Sequence, residues 1–431
     1  MSNQFSLLKT RRFLPIFITQ FLGALNDNTF KQALIILFTF HAASVINVQP
    51  TILNNLAAGL FILPYFLFSS TAGQIADKYE KSKLTQYIKI FEIMIMSLVT
   101  IAFFTHTFWL FMVALFGMGT HATFFGPIKY SILPQLLTRD EIVGGNGLFE
   151  TGTSFATLAG MILGGTIMTI AGTNYFWISG TLLIIAIVGY LFSHEIPARA
   201  IGHADLKINW NVLATTRQTL QYASNLGDVS YTILGISWFW YYGATFLTQI
   251  PVFTREILHG SESVVTFLLT VFSVGIALGS LLCEHFTGRH AQLKLVPFGA
   301  VGLTASAIFL YLASRGLVSH SEHQNMIDVI SQAQYWPVFI AFAGIGMFGG
   351  FYIVPLYAHL QYDSPESFRA RVIAANSIMN ALFMVVSSVV SVAVLSWLHR
   401  SIPELFLLTA IISAVVSLIV IKHLNTDNTS S

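Results

Sequence analysis

Charge set inside apolar sequence is the first chemistry this chain offers. Residues 23–31 read Gly-Ala-Leu-Asn-Asp-Asn-Thr-Phe-Lys within a long apolar run. A carboxylate at the centre of a membrane-crossing helix costs roughly 2.5–3.5 kcal/mol on insertion scales, so it needs a partner or a wet cavity. Asp27 and Lys31 stand four residues apart and can pair along one helical face. Asn26 and Asn28 put amide donors and acceptors beside them. Two readings follow: a salt bridge holding this segment to a neighbour, or a polar group on a central cavity. In the second, the group binds a headgroup or a coupling cation, sodium or proton.

Other buried charges are fewer. Lys89 and Glu92, three residues apart, satisfy each other. Glu150, in Asn146-Gly-Leu-Phe-Glu, lies at a depth where a carboxylate faces other helices, with Lys129 or Lys31 as its partner. The 13 histidines have no metal-ligand spacing; His121 and His359 fall inside apolar segments, where they either face the cavity or, the favoured reading, are satisfied core residues. Residues 236–251 carry Trp238, Trp240, Tyr241, Tyr242 and Gln249, with no charge until Arg255. A cavity with carboxylate and lysine on one side and aromatics on the other suits an amphiphile, its polar head against residues 26–31 and its acyl chain against the rings. For Trp238 an interfacial aromatic belt is an equal reading. Gly344-Ile-Gly-Met-Phe-Gly349 matches a dinucleotide fingerprint by letter, but it lies in an apolar segment with no strand before it, and that reading fails. With no P-loop, nucleophile–base pair or metal cluster in the sequence, an enzyme or a primary pump is not expected.

The elements that position these residues are long apolar helices. Of 431 residues, 55% are hydrophobic and only 9% charged, and the mean hydropathy is +0.70. Soluble domains carry about 25% charged residues, so this composition belongs in lipid. A spanning helix needs about 20 apolar residues. The spans fall at 14–40, 52–76, 84–104, 107–127, 144–171 and 174–192, then at 229–254, 263–285, 292–313, 336–360, 372–398 and 403–422. The expected fold is an all-α membrane protein of twelve transmembrane helices in two six-helix bundles, 1–193 and 229–431. Between them, 194–228 is a polar linker whose Trp210, Leu213 and Leu220 suggest a helix at the cytoplasmic interface; a plain linker helix is the alternative. Cys283 is the single cysteine, so no internal disulfide forms. No basic stripe interleaved with aromatics lies outside the spans, which argues against nucleic acid as a partner.

Outside the spans, lysine and arginine concentrate on one side, leaving only Arg255, Arg315 and Arg400 on the other. By the positive-inside rule both termini are cytoplasmic. Gly160 and Gly164, like Gly275 and Gly279, recur at four-residue spacing, which marks close helix contacts in a membrane.

The turn after the second span reads Gly73-Gln-Ile-Ala-Asp77-Lys-Tyr-Glu-Lys81-Ser-Lys83. This resembles the loop signature of the major facilitator superfamily, in which the carboxylate latches a neighbouring helix end and controls the cytoplasmic opening. A weaker copy, Ser280-Leu-Leu-Cys-Glu284-His-Phe-Thr-Gly-Arg289, ends the eighth span. Pro127 and Asn146 likewise match Pro355 and Asn376 in the second half, once a polar insertion near 314–334 is set aside. Two related halves are the arrangement of parallel repeats about an axis normal to the membrane.

A closer resemblance rests on Phe21–Asn28, on Pro127-Ile-Lys129-Tyr, on Asn146-Gly-Leu-Phe-Glu150 and on Gly349–Gln361. These are similar to the bacterial lysophospholipid transporter family, over nearly the whole chain. The resemblance implies inward movement of lysophospholipids, chiefly lyso-phosphatidylethanolamine, across the bacterial inner membrane for re-acylation. It makes Asp27 the functional carboxylate and a cytoplasmic acyltransferase or acyl-carrier-protein synthetase a partner. Several members place an arginine where Leu247 stands in this chain, so either a phosphate meets Lys31, Lys129 or amides instead, or the chain carries another substrate. A cation-coupled exporter of a hydrophobic small molecule, with Asp27 or Glu150 carrying the proton, shares the architecture.

Overall fold

The structure, a computed structural model, describes residues 4–40, 50–171, 174–199, 204–287, 293–315, 317 and 324–426. Its helices in chain order are α1 (Leu14–Phe40), α2 (Pro50–Lys78), α3 (Lys81–Thr105), α4 (Phe108–Leu136), α5 (Ile142–Ala171), α6 (Phe176–Ser193), α7 (Val212–Ser224) and α8 (Asp228–Glu256). There follow α9 (Glu262–Thr287), α10 (Leu295–Ser314), α11 (Met326–Ser331), α12 (Trp336–Asp363), α13 (Arg369–Val392) and α14 (Ile402–Thr426). All but α7 and α11 have at least 18 residues, which leaves twelve long helices among the described residues. Ten of these are apolar enough throughout to cross a membrane by length and composition. The two that fall short are α1 and α8, the first long helix of each sequence half and the carriers of most candidate site residues.

Packing divides the chain into two compact units. One comprises Met1–Thr138, Phe155–Asn225 and Gln361–Ile378; the other comprises Arg139–Ser154, Leu226–Leu360 and Met379–Ser431. In the first, α2 lies along α4, α1 along α6, and α3 against both α4 and α6. Phe30, Leu34, Met96, Phe103, Phe111, Met118 and Leu182 fill its core. In the second, α14 packs on α8 and α10, and Phe246 stacks on Tyr242 and Phe406 with centroids 4.6 and 4.2 Å apart.

The glycine pairs set the closest approaches. A Cβ on Gly160 or Gly164 would lie 2.6 Å from the Leu25 carbonyl oxygen or 2.4 Å from that of Thr29, so α5 rides on the backbone of α1 beside residues 26–28. Gly275 and Gly279 give α9 the same contact with α12, at Ala343 and Met347. Such contacts replace the hydrophobic effect as the source of helix association in lipid.

Helix α3 begins earlier than its apolar residues do, because Glu80 caps it. The Glu80 carboxylate accepts hydrogen bonds from the Ser82 and Lys83 amides at 2.9 Å and from the Ser82 hydroxyl at 2.8 Å. Burial raises the Glu80 carboxyl, but these bonds and the Arg199 amide outweigh it and hold the group below the usual carboxylate range. A depressed carboxyl stabilises the fold above its unfolded-state value, and that contribution is lost as pH falls through the lowered folded value. Glu80→Ala is expected to cost about 1 kcal/mol near neutral pH, the scale of a lost N-cap, and less at an acidic pH below the lowered folded value. Thermal melts of both proteins at the two pH values check this; an equal loss at both would contradict it.

Linker helix α7 packs on α2 through a small polar face. Thr215, Thr219 and Ala223 are buried, and the Thr219 and Ser70 hydroxyls share a hydrogen bond of 2.8 Å. Asn211 caps α7 by accepting from the Ala214 amide at 3.1 Å. Trp210 precedes the helix, and both it and Leu213 stay exposed, at 70% and 84%.

Candidate functional site

Helix α1 presents two faces with different chemistry. On one, Lys31 Nζ lies 2.8 Å from Asp27 Oδ2, and the two side chains retain 31% and 19% exposure. Lys31 Nζ also sits 3.4 Å above the Phe61 ring of α2, a cation–π contact. Asp27 Oδ1 is buried with no hydrogen-bond partner among the described residues. Asn28 is turned back to its own helix and to α5, donating to the Ala24 carbonyl at 2.8 Å and to the Thr157 hydroxyl at 3.3 Å.

On the other face, Asn26 is fully buried and donates to Glu92 Oε1 at 2.7 Å. Lys89 and Glu92 are paired, as their spacing predicts, and both are fully buried. His121 of α4 adds its Nε2 3.2 Å from Glu92 Oε2. The sequence reading separates these residues into an ion pair, a site amide and a core histidine. The fold joins them into one cluster shared by α1, α3 and α4. Nothing in the sequence beyond a histidine in an apolar run signals that His121 reaches Glu92.

At the other end of the first unit, Asp77 closes α2 and meets the start of α13. Its carboxylate accepts from the Ala370 amide at 2.9 Å, the Arg371 amide at 3.4 Å and Arg371 Nε at 2.8 Å. The Arg371 guanidinium stacks over Phe368, 3.7 Å from the ring centroid. A negative charge here satisfies the unpaired amides of a helix N-terminus and opposes its positive dipole end. Gly73, one turn earlier, makes the approach possible: a Cβ there would lie 2.8 Å from Ala374 Cβ and 2.9 Å from Arg371 Cα. Lys81 is buried beside this latch and Lys83 is exposed. Arg371 and Ala370 are partners that sequence reasoning does not name; an arginine just inside a helix start is the signal that was available. Glu284 of the weaker copy is half-buried near the end of α9, while Arg289 lies outside the described residues.

The remaining candidates are spread more widely. Lys129 lies 4.7 Å over the Tyr130 ring, and Asn376 is buried in α13. Glu150, half-buried on α5, belongs to the second unit, where Thr151 beside it donates to the Ala277 carbonyl of α9 at 3.2 Å. Trp238 and Tyr241 of α8 are buried and stacked on each other, and the Trp238 indole donates to the Ser413 hydroxyl at 3.0 Å. Trp240 is 37% exposed and donates to the Tyr357 hydroxyl, and Gln249 is half-buried one turn beyond Thr245. An apolar cavity of about 660 Å³ lies among α9, α10 and α12, lined by residues such as Val274, Phe309, Ile340 and Met347; none of the candidate residues borders it.

Comparison with known proteins identifies the architecture. The sequence pattern of the Major Facilitator Superfamily matches residues 16–261 and again residues 229–430, once for each half. The chain belongs to the Major Facilitator Superfamily. As a superfamily member it is a multi-pass membrane protein of the two-bundle fold, and its relatives in sequence and neighbours in structure are transporters, not enzymes. A lysophospholipid transporter of Escherichia fergusonii is 24% identical over 386 residues, covering 88% of each chain. One of Photorhabdus laumondii is 27% identical over 368 residues, covering 84% of this chain and 82% of its own. Among solved structures, the Major Facilitator Superfamily transporter FucP, crystallised in the outward conformation, aligns with a TM-score of 0.72 at 12% identity over 96% of this chain and 99% of its own. The human organic anion transporter MFSD10 aligns with a TM-score of 0.69 at 13% identity, covering 95% of this chain and 99% of its own.

Proposed function

We propose that this superfamily member moves lysophospholipids, lyso-phosphatidylethanolamine foremost, toward the cytoplasmic leaflet of the bacterial inner membrane, where re-acylation consumes them. The observation that carries the reading is the Asp27–Lys31 pair: an acid and a base side by side and partly open on α1. The ethanolamine headgroup bears the complementary pair of charges. Its ammonium supplies the donor that Asp27 Oδ1 lacks, and its phosphate takes Lys31 in place of Asp27. Exchange of one ion pair for two avoids leaving either charge uncompensated in a medium of low dielectric. Leu247, where several relatives of the resembled family carry arginine, throws the phosphate contact onto Lys31. The similarity to proteins named lysophospholipid transporters supports the same cargo. Transport proceeds by alternating access, with release of the Asp77 latch as the step that frees the start of α13 on the cytoplasmic side.

Uptake of labelled lyso-phosphatidylethanolamine into proteoliposomes tests this. Asp27→Asn is expected to lower the initial rate about tenfold or more, the scale of one lost charge-assisted hydrogen bond. Lyso-phosphatidylglycerol, which has the phosphate but no ammonium, should lose much less. An Asp27→Asn protein that transports the ethanolamine lipid at the wild-type rate would sink the proposal.

A further inference from the structure

The cluster on the closed face of α1 has a composition that a structural lock does not need. A Lys–Glu pair fully out of solvent is already neutral, and Asn26 supplies the carboxylate with another donor. His121 is superfluous to that balance. It is 5% exposed, its Nε2 lies 3.2 Å from Glu92 Oε2, and that nitrogen makes no properly aligned hydrogen bond among the described residues. The ring stacks on Phe125 of its own helix, with centroids 6.0 Å apart, which fixes its plane. A basic nitrogen held at ion-pair distance from a buried carboxylate is a place for one more proton.

From the geometry we propose that His121 is a proton-binding site, and that its proton couples to movement of α1. The charge count gives the mechanism. With His121 neutral the cluster sums to zero, Lys89 positive and Glu92 negative, and suits a sealed interior. One proton taken from water onto His121 forms an N–H bond and leaves a net charge of +1 in a compartment without solvent. Glu92 Oε2 then lies between two cations. Among the described residues, His121 meets Glu92 of α3, which also holds Lys89 of α3 and the Asn26 amide of α1, and α2 backs the same stretch of α4 at Gly119 through Phe61 and Pro64. From α6, Gly189 fills the space against Lys89. The excess charge is relieved only by admitting water, and the seam that must open runs between α1 and the α3–α4 pair. Protonated protein therefore populates a state in which α1 has shifted, and neutral protein populates the sealed arrangement described above. Asp27 follows Asn26 directly in α1, so the same shift moves the cargo carboxylate. The coupling to cargo rests on the transport reading above, whereas the proton site does not.

Two measurements separate these. Infrared difference spectra of the full chain in nanodiscs, with ring-labelled histidine, are recorded between pH 5.5 and 8.5 for wild type and His121→Gln. The wild type should show one imidazole-to-imidazolium change that the variant lacks, together with a shift of a buried carboxylate band that Glu92→Gln removes. That carboxylate band reads the same proton in a protein whose His121 is intact, so a poorly folding glutamine variant does not leave the question open. Superimposable wild-type and His121→Gln spectra, with no pH-dependent carboxylate band, would overturn the proposal. In proteoliposomes, an inside-alkaline gradient of one unit should speed lyso-phosphatidylethanolamine uptake by about threefold or more, against the tenfold limit for one coupled proton. His121→Gln should no longer respond to the gradient. If the infrared change is present but no lysophospholipid moves in any preparation, the proton site stands and the cargo reading fails. If the lipid moves and the wild type ignores the gradient, the coupling is wrong.

Discussion

Lys89→Ala lowers the thermal midpoint of the purified chain by roughly 5–15 °C, the cost of stranding a buried charge whose partner has been removed. The expectation rests on burial: Lys89 and Glu92 have no exposed side-chain surface, and Glu92 takes Lys89, Asn26 and the neighbourhood of His121 on its two oxygens. Truncating the lysine leaves the carboxylate with one neutral amide and a histidine, and opens a void beside Gly23 and Gly189, the glycines that make room for the ammonium. Replacing both charges, as in Lys89→Met with Glu92→Met, should recover most of the loss, because the pair and its desolvation penalty leave together. Gly189→Leu should resemble the single variant, since a Cβ at 189 would lie 2.7 Å from Lys89 Cε and Nζ. A Lys89→Ala protein that melts with the wild type would show that the cluster is hydrated and that the sealed geometry does not persist in solution.

Asp77→Asn should raise the hydrogen-exchange rate of the Ala370 and Arg371 amides about tenfold to a hundredfold, the range set by losing charge-assisted bonds worth roughly 1.5–3 kcal/mol. The carboxylate is held by two backbone amides and one guanidinium, so neutralising it removes an ion pair and a helix cap at once. Gly73→Leu reaches the same end by shape: the added side chain meets Ala374 Cβ and the Arg371 backbone, and α13 must retreat from α2. Both variants should also lose lysophospholipid uptake, because a latch that cannot close leaves one side of the cycle underpopulated. Unchanged protection in both would mean that the start of α13 is held by contacts other than Asp77.

The fold was largely legible in the sequence, and its departures have physical causes. Apolar runs and the charges between them place all twelve long helices, and α1 runs over the expected 14–40. The fourth helix does not stop at Pro127 but continues through Pro127 and Pro134 to Leu136. A proline ends most helices in water, whereas in a packed membrane bundle neighbouring groups take up the freed carbonyl. Helix α3 gains Lys81 and Lys83 because Glu80 caps it, and a cap is visible only once the turn is formed. In the polar insertion, Asn325 and Asp328 form a reciprocal capping box that starts α11, an element the hydropathy pattern does not reveal. The candidate site was legible in part. Asp27 and Lys31 are neighbours on one helix face, so spacing alone pairs them. The joining of Asn26 and His121 to Glu92, or of Arg371 to Asp77, depends on how helices distant in sequence are rotated against each other, and a linear pattern does not encode that.

The low hydropathy of α1 has a consequence for how the chain is made. It leaves the ribosome before the other described helices, and it carries Asp27 and Lys31 along with three asparagine and glutamine side chains nearby, Asn26, Asn28 and Gln32. On translocon scales each charge near the helix centre works against partitioning by roughly 2.5–3.5 kcal/mol, so α1 is a poor inserter by itself. Its partners for that charge and polarity, Phe61, Glu92 and Thr157, are all synthesised later. The nascent segment is therefore expected to wait at the insertion machinery until α2 and α3 arrive.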